Sequence, residues 1–429
     1  MKENLTILLL GNGGRESAIA WKLMQSPRLK KLYVAPGNGS PLGEPVALNI
    51  LDFEAMADFC STHAVDMIMV GPELPLVQGI ADHFADSPVK VIGPCAEGAR
   101  LEGSKEFAKE FMTRHAIPTA RFMTVTADTI DEGYSFLESL SAPYVLKADG
   151  LAAGKGVLIT HDLDEARSTL ASMLGGLFGS ASATVVIEEF MAGVECSVFV
   201  ATDGEEYVML PAAKDYKRAG EGDTGLNTGG MGAVSPVPFA DAEFLDKVER
   251  RIVRPTLGGL REEGIPYRGF LFIGLMDVEG DPMVVEYNVR LGDPETEVVI
   301  PRIASDMVDL LEGIADQTLA VKKVLVDERA AAAVMLVSDG YPGKYATGKA
   351  ISGLDRIGEC ADAVVFHAGT RRDPDTGMVY TAGGRVLATM AFGADLRQAV
   401  DSALRQAALV SFDGARFRAD IGADMLKLL

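Results

Sequence analysis

Thiol, indole and imidazole chemistry have little to work with in this chain of 429 residues, which holds four cysteines, one tryptophan and five histidines. Cys60, Cys95, Cys196 and Cys360 are scattered, with no CxxC pair and no second Cys or His pair to complete a zinc site. That pattern excludes a zinc knot and a disulfide scaffold and is expected of reduced thiols in a cytoplasmic protein. His63, His83, His115, His161 and His367 form no nucleophile or metal pattern. Positive charge is scarce too: 40 Lys and Arg against 61 Asp and Glu leave a net charge of −21. A nucleic-acid backbone calls for the opposite balance, although a local basic cluster still suits small anions. No apolar run approaches the roughly 18 residues of a membrane span. The first residues, Met1-Lys2-Glu3-Asn4, lead straight into a strand-like run and do not read as a signal peptide. Apolar content of 48% with 24% charged residues is ordinary for a globular protein, and the length calls for about two to four domains. The expectation is a cytoplasmic, multidomain α/β enzyme.

Continuous apolar runs at 5–10 and 67–70, further strands at 31–35 and 89–93, and helical stretches at 15–25 and 53–63 alternate through about residue 100. Such alternation predicts a small doubly wound domain with a parallel sheet. A helix at 104–115 leads into a compact unit at 121–192, with strands at 122–125, 144–148, 156–160 and 184–190 and helices near 128–140 and 163–174. Strands then predominate, with helices near 239–263 and 303–315, and a boundary near 326–329 opens a last, strand-rich module.

The run Pro282–Arg290 followed by Leu291–Thr296 is the most informative stretch. With strand periodicity, Glu286, Asn288 and Arg290 share one face while Val285, Tyr287 and Val289 share the other. A carboxylate, an amide oxygen and a guanidinium side by side suit Mg²⁺ and the phosphates it accompanies; an exposed strand face is the plain alternative. Gly11-Asn12-Gly13-Gly14-Arg15-Glu16 occupies the place of a dinucleotide loop, but Glu16 stands where the third glycine belongs and the second strand ends in Ala35-Pro36-Gly37-Asn38, without a carboxylate for a ribose. What survives is either a structural turn or a loop aiming backbone N–H groups and Arg15 at an anion. Glu73, in the loop Gly71-Pro72-Glu73 on the same sheet edge, suits sugar hydroxyls. Asp149–Gly156 joins two strands through three glycines and a lysine, so it fits a flap over phosphates better than a P-loop. The segment Val185–Glu195 offers an apolar bend for a flat base and a carboxylate, Glu195, for ribose hydroxyls; a routine connection reads the same way. Lys214–Arg218 and Asp223–Ala233 form a long, charged, glycine-rich loop of the kind that carries function.

Taken in order, Gly11–Glu16, Gly71–Glu73, Leu101-Glu102-Gly103-Ser104-Lys105, Lys147–Val157, Asn227–Ala233, Gly292–Thr296, His367–Thr370 and Gly383–Val386 resemble the motifs of the phosphoribosylamine–glycine ligases (glycinamide ribonucleotide synthetases). These are ATP-grasp enzymes of de novo purine synthesis, and the likeness runs from residue 5 to about residue 422. It implies an α/β, multidomain ATP-grasp fold: an N-terminal doubly wound (pre-ATP-grasp) domain at 1–103, a core at 104–122 and 193–327, a lid subdomain at 123–192 and a small strand-rich C-terminal domain at 328–429. By the same resemblance Lys105 and Lys147, with Gly154, Lys155 and Gly156 of the lid, contact ATP phosphates. Glu188, Glu189 and Met191 hold adenine, Glu195 holds ribose, and Glu286 and Asn288 ligate Mg²⁺ or Mn²⁺. Glycine and phosphoribosylamine lie near Asp215, Lys217, Arg290 and Asp293 and the N-terminal groups Gly13, Gly14, Arg15, Asn38 and Glu73, with Lys147, Arg290, Asp293, Asp215 and Lys217 carrying catalysis. The implied reaction passes through glycyl phosphate, and the implied protein is a monomer or weak dimer with no nucleic-acid or membrane partner. Departures from the usual pattern are Ser17 and Tyr216 in place of His, Lys214 in place of Gln, Leu226 in place of Pro, and Val289-Arg290-Leu291 in place of Cys-Arg-Phe. Competing readings are another ATP-grasp enzyme, such as the related purine-pathway carboxylase, and a non-enzymatic nucleotide-binding protein; an NAD oxidoreductase ranks last.

Overall fold

Leu5–Gly11 is buried at every residue, as a run apolar but for Thr6 and flanked on both sides must be. In the computed structural model, which describes residues 4–151, 156–357 and 362–429, it pairs in parallel with Leu29–Pro36 on one side and Met67–Val70 on the other. Glu44–Pro45 and Lys90–Ile92 complete this five-stranded parallel sheet at its two edges. The chain therefore winds first to one side of Leu5–Gly11 and then to the other. At such a switch point the loops after the two central strands open a crevice at the sheet's C-terminal edge. Gly13 and Glu73 stand at its lips.

A second unit is a four-stranded antiparallel sheet in the order Phe122–Thr126, Thr184–Glu189, Tyr144–Ala148 and Val157–Thr160. Helices Ile130–Ser139 and Leu163–Ser172 cover it. Its core is separate from the rest of the molecule and gathers Val125, Leu137, Leu146, Leu170, Val185 and Ile187.

The remainder is built on one nine-stranded sheet. Asp281–Asn288, Gly269–Val278, Val194–Thr202, Tyr207–Asp215, Gly232–Ser235, Ala330–Ser338, Arg385–Gly393 and Ala363–His367 follow one another, and Ala415–Arg416 pairs with Ala330–Ser338. The C-terminal module thus joins the central strands edge to edge, through Gly232–Ser235 against Ala330–Ser338. All nine residues of Ala330–Ser338 are buried. Helix Leu396–Ala407, capped by Asp395, lays Leu396, Ala399, Val400, Ala403 and Ala407 inward on this part of the fold.

Three local expectations change. The helix expected at 239–263 is Ala242–Val248 and Arg254–Glu262 joined by a π-type turn at Glu249–Val253; Pro255 has no N–H to give the preceding turn. The helix expected from 303 starts at Met307, because the Asp306 carboxylate accepts the Val308 N–H and caps it there. Along Asp281–Asn288 a bulge breaks the register: Glu286 opposes Gly274, but Val284 opposes Leu275. Val285 is the extra residue, so Val284 and Tyr287 are the buried pair and Val285 does not share their face.

Candidate active site

Ser104 accepts the Phe107 N–H and starts helix Lys105–Arg114. Asp149, leaving the strand Tyr144–Ala148, docks on that helix start: its Oδ1 accepts from Ser104 Oγ at 3.0 Å and from the Glu106 N–H at 2.8 Å. The base of the glycine-rich hairpin is thereby fixed beside Lys105, whose Nζ lies 3.4 Å from the Asp149 carbonyl. One helical turn on, Lys109 Nζ is 3.1 Å from Glu188 Oε2, while Lys147 Nζ is 2.9 Å from Glu188 Oε1 and 3.4 Å from the Val285 carbonyl turned out by the bulge. Lys109, Lys147 and Glu188 are all buried. Burial pulls the Lys109 ammonium down to about 8, and burial likewise lowers Lys105, with Glu286 opposing. Burial alone would raise the Glu188 carboxyl; Lys147 and Lys109 outweigh it and hold the group ionised.

Glu286 projects over Gly274, where a Cβ would sit 3.2 Å from its Cγ, and among the described residues it forms no ion pair. Asn288 Oδ1 accepts from Arg290 Nη2 at 3.1 Å. No group of three or more His, Cys, Asp or Glu suited to a metal occurs among the described residues. One free carboxylate plus an amide oxygen is a poor cage but a fitting half-site for Mg²⁺ that arrives on a nucleotide's phosphates, since that ion keeps much of its shell from water and substrate.

Arg290 lies just past the strand and keeps to the side of Asn288, to which it donates. The strand ends at Asn288, and the Arg290 guanidinium turns to Glu102 Oε1 at 2.8 Å, with Glu73 Oε2 at 3.6 Å. Glu102 also accepts the Val289 N–H. Burial raises the Glu102 carboxyl, whereas Arg290 brings Glu73 below its ordinary range against the effect of burial. Further on, Asp293 Oδ2 accepts the Arg15 N–H at 3.3 Å, and Asp293 Oδ1 lies 2.9 Å from Arg385 Nη1.

Arg15 also corrects an expectation. Rather than facing an anion, it is buried, pairs with Glu16 at 2.6 Å and donates to the Leu291 carbonyl at 3.1 Å. Glu16 in turn accepts the Gly13 N–H, and its carboxylate fills space that side chains at Gly11 (φ +124°) and Gly71 would occupy. Asn38 spends its amide N–H groups on the Asn12 and His367 carbonyls, so it staples loops instead of offering open donors. Ser17 donates to the same His367 carbonyl at 2.6 Å.

Just past the strand Tyr207–Asp215, Lys217 Nζ meets Glu195 Oε2 at 3.1 Å, and Asp215 and Glu195 keep Lys217 protonated well above the ordinary lysine range. Lys217 lowers the Glu195 carboxyl. Tyr216 points away from this group: its hydroxyl donates to Asp424 Oδ1 at 2.5 Å, with Lys214 Nζ 3.4 Å from Asp424 Oδ2. The two unusual residues of the Lys214–Arg218 run thus share one partner on the C-terminal segment.

The structure therefore gathers Lys105, Lys147, Glu188 and Glu286 at one end of a cleft, and Glu73, Arg290, Asp293, Gly13 and Gly14 at the other, with Glu195, Asp215 and Lys217 between strands of the same sheet. The Glu188 carboxylate is taken by two lysines, and that of Glu189 turns outward to an exposed pair with Arg121 at 2.9 Å, so neither side chain is free for a base. Met191 is half-buried on the bend after them, and Gly156 opens the strand behind the hairpin. Gly154 and Lys155 lie outside the described residues. Lys109 and Glu297 escaped the sequence reading, and Glu102, Glu295 and Arg385 stood inside motifs without a role of their own. Only the acid run Asp293–Glu297 gave a local signal.

Family models match almost the whole chain: the phosphoribosylglycinamide synthetase N domain at residues 5–102, its ATP-grasp (A) domain at 103–296 and its C domain at 331–424. A phosphoribosylamine–glycine ligase of Chlorobaculum tepidum is 44% identical over 429 residues, covering 98% of this chain and 100% of that protein. The crystal structure of the Thermotoga maritima phosphoribosylamine–glycine ligase superposes with a TM-score of 0.83 at 36% identity, over 97% of this chain and 100% of that one. The biotin carboxylase domain of Hydrogenobacter thermophilus 2-oxoglutarate carboxylase, crystallised with ADP, its magnesium salt and bicarbonate, gives 0.70 at 15% identity over 97% and 92%; that likeness concerns the fold alone. The architecture is the ATP-grasp fold between N- and C-terminal units.

Proposed function

This chain belongs to the phosphoribosylglycinamide synthetase family, and on that premise we propose that it ligates glycine to 5-phospho-D-ribosylamine. ATP is consumed, and glycinamide ribonucleotide, ADP and phosphate are the products, a step of de novo purine (IMP) synthesis. The observation that carries this reading is the set of buried lysines around Glu188 and Glu286, opened toward the turn of Arg290 and Asp293.

Lys105 and Lys147 neutralise ATP phosphates under the hairpin Asp149–Gly156, while Lys109 keeps Glu188 ionised and so keeps Lys147 in place. Glu195 takes the ribose hydroxyls, and the bend through Met191 takes adenine by its backbone. Glu286 and Asn288 would hold Mg²⁺ or Mn²⁺, and the ion would supply charge neutralisation to the nucleotide phosphates. The glycine carboxylate, aligned near Arg290 with Asp215 and Lys217 alongside, attacks the γ-phosphorus; the phosphoribosylamine amine then attacks the carbonyl of glycyl phosphate and expels phosphate. Positioning and fixed charge supply the rate, with no protein nucleophile. Closure of the 123–192 unit over the cleft excludes water from the acyl phosphate. The core at 104–122 and 193–327 and the end units 1–103 and 328–429 frame it. No helix among the described residues is long and apolar enough to cross a membrane; a cytoplasmic monomer or weak dimer completes the proposal.

Omitting each substrate in turn from a coupled ADP-release assay tests it. Release is expected only with ATP, glycine and phosphoribosylamine together. Release supported by bicarbonate in place of glycine would move the chain to the related carboxylases, and ATP binding without turnover would make it a binding protein.

A further inference from the structure

The turn that follows Arg290 contains a carboxyl group with no evident partner. Glu297, in the short helix Thr296–Val299, is 0% exposed, and neither of its carboxyl oxygens makes a hydrogen bond among the described residues. Its Oε1 presses on Gly14, where a Cβ would come within 2.2 Å, and Asp293 Oδ2 presses on the adjacent Gly13, where a Cβ would come within 2.8 Å. Gly13 and Gly14 are consecutive, so the two carboxyls press on one stretch of backbone. Asp293 Oδ1 is the other buried oxygen here without a hydrogen bond, its ion pair with Arg385 being out of alignment. An ionised carboxylate sealed from water without a donor is a costly arrangement, whereas a neutral carboxyl is itself a donor.

We propose that Glu297 is a neutral carboxylic acid whose proton is shared with Asp293, and that it acts as a positioning residue. Its O–H fixes the Asp293 carboxylate between the Arg15 amide and the Arg385 guanidinium, at the turn facing the crevice. The charged groups around it are Asp293 and Glu295 on its own turn, Arg385 on the C-terminal strand, and the mutually paired Arg15 and Glu16 on helix Gly14–Leu23; the packed strand Tyr207–Asp215 ends in Asp215, while its Lys214 is turned to Asp424. Burial, then Asp293, push the Glu297 carboxyl upward, and Arg385 opposes them without prevailing. The consequence for turnover rests on the ligase reading; the shared proton does not.

Infrared difference spectroscopy of the full-length protein near neutral pH, native minus Glu297→Gln, tests the proton directly. A protonated-carboxyl C=O band lost in the variant is expected, and its absence overturns the proposal whatever the enzyme's substrate. Steady-state kinetics then test the positioning. Glu297→Gln, which keeps a neutral donor, should stay within about threefold of native kcat/KM and lose any alkaline limb owed to this group; Glu297→Met, which keeps volume without a donor, should lose about tenfold or more. Equal losses in both variants, or none in Glu297→Met, would also overturn it.

Discussion

The two ends of the cleft carry opposite charge patterns. Around Glu188 and Glu286 three lysines converge, and burial lowers two of them, Lys105 and Lys109. Around Asp293, the carboxyl groups of Glu16, Glu73, Glu102, Glu295 and Glu297 outnumber Arg15, Arg290 and Arg385, and most of the ionic contacts are already made between protein groups. The lysine end belongs partly to a unit with its own core, whereas the carboxylate end is knit into the nine-stranded sheet and the parallel domain. A polyanion supplies the missing partners at the first end. At the second, the geometry is fixed before any ligand arrives, which suits a small amine or amino acid that has little binding area to spend on ordering loops.

Removing a cation from each end should separate these roles. Lys147→Ala is expected to cut kcat by about a hundredfold or more, the scale of losing a fixed charge at a transferring phosphoryl group. Its fold should survive because Lys109 still holds Glu188; circular dichroism and thermal melting check that, and near-native turnover would erase the contrast. Arg290→Ala should instead cost stability as well as rate. It strands the buried Glu102 carboxylate, a loss of about 3–5 kcal/mol for breaking a buried pair from one side, readable by urea unfolding. Unchanged unfolding would mean that the carboxylate end is not internally braced.

A smaller effect concerns pH. Burial pushes Glu295 up to about 7 from the usual 4.5, so the native protein holds a proton that the unfolded chain releases. The stability this contributes is full below about 4.5 and is lost as pH rises through about 7. Glu295→Gln should therefore gain on the native protein across that interval, as followed by denaturation midpoints; parallel curves would remove the group from the account. Smallest of all, Glu189→Ala breaks only an exposed pair with Arg121 and should change stability by less than about 1 kcal/mol, with KM for ATP unchanged. A large rise in KM would return the Glu189 side chain to the base-binding bend.

The lysine end was the more legible of the two. Lys147, the glycine-rich hairpin and the alternating Glu286 and Asn288 announce themselves within a few residues. Lys109 did not, because a lysine on an ordinary amphipathic helix looks like a solvated one until Thr184–Glu189 brings Glu188 against it. At the carboxylate end Arg15 read as an open anion binder, yet Glu16 beside it and the Leu291 carbonyl across the crevice claim it. Asn38 likewise spends its amide N–H groups on the Asn12 and His367 carbonyls, which no neighbouring residue announces. A polar side chain in a loop shows its chemistry in sequence, but the partners that satisfy it come from elsewhere.

Local order alone determined the alternation of buried strands and helices, the hairpin with its three glycines and the polar run of the 282–290 stretch, since short-range sterics and hydrophobic periodicity act on neighbours in the chain. Tertiary structure decided the rest. The bulge at Val285 turned a carbonyl toward Lys147, Arg290 bent back onto Glu102, and Gly13 and Gly14 came against Asp293 and Glu297. Those pairings depend on the burial and cross-strand register of segments far apart in sequence, and no local pattern encodes how a buried charge will be neutralised.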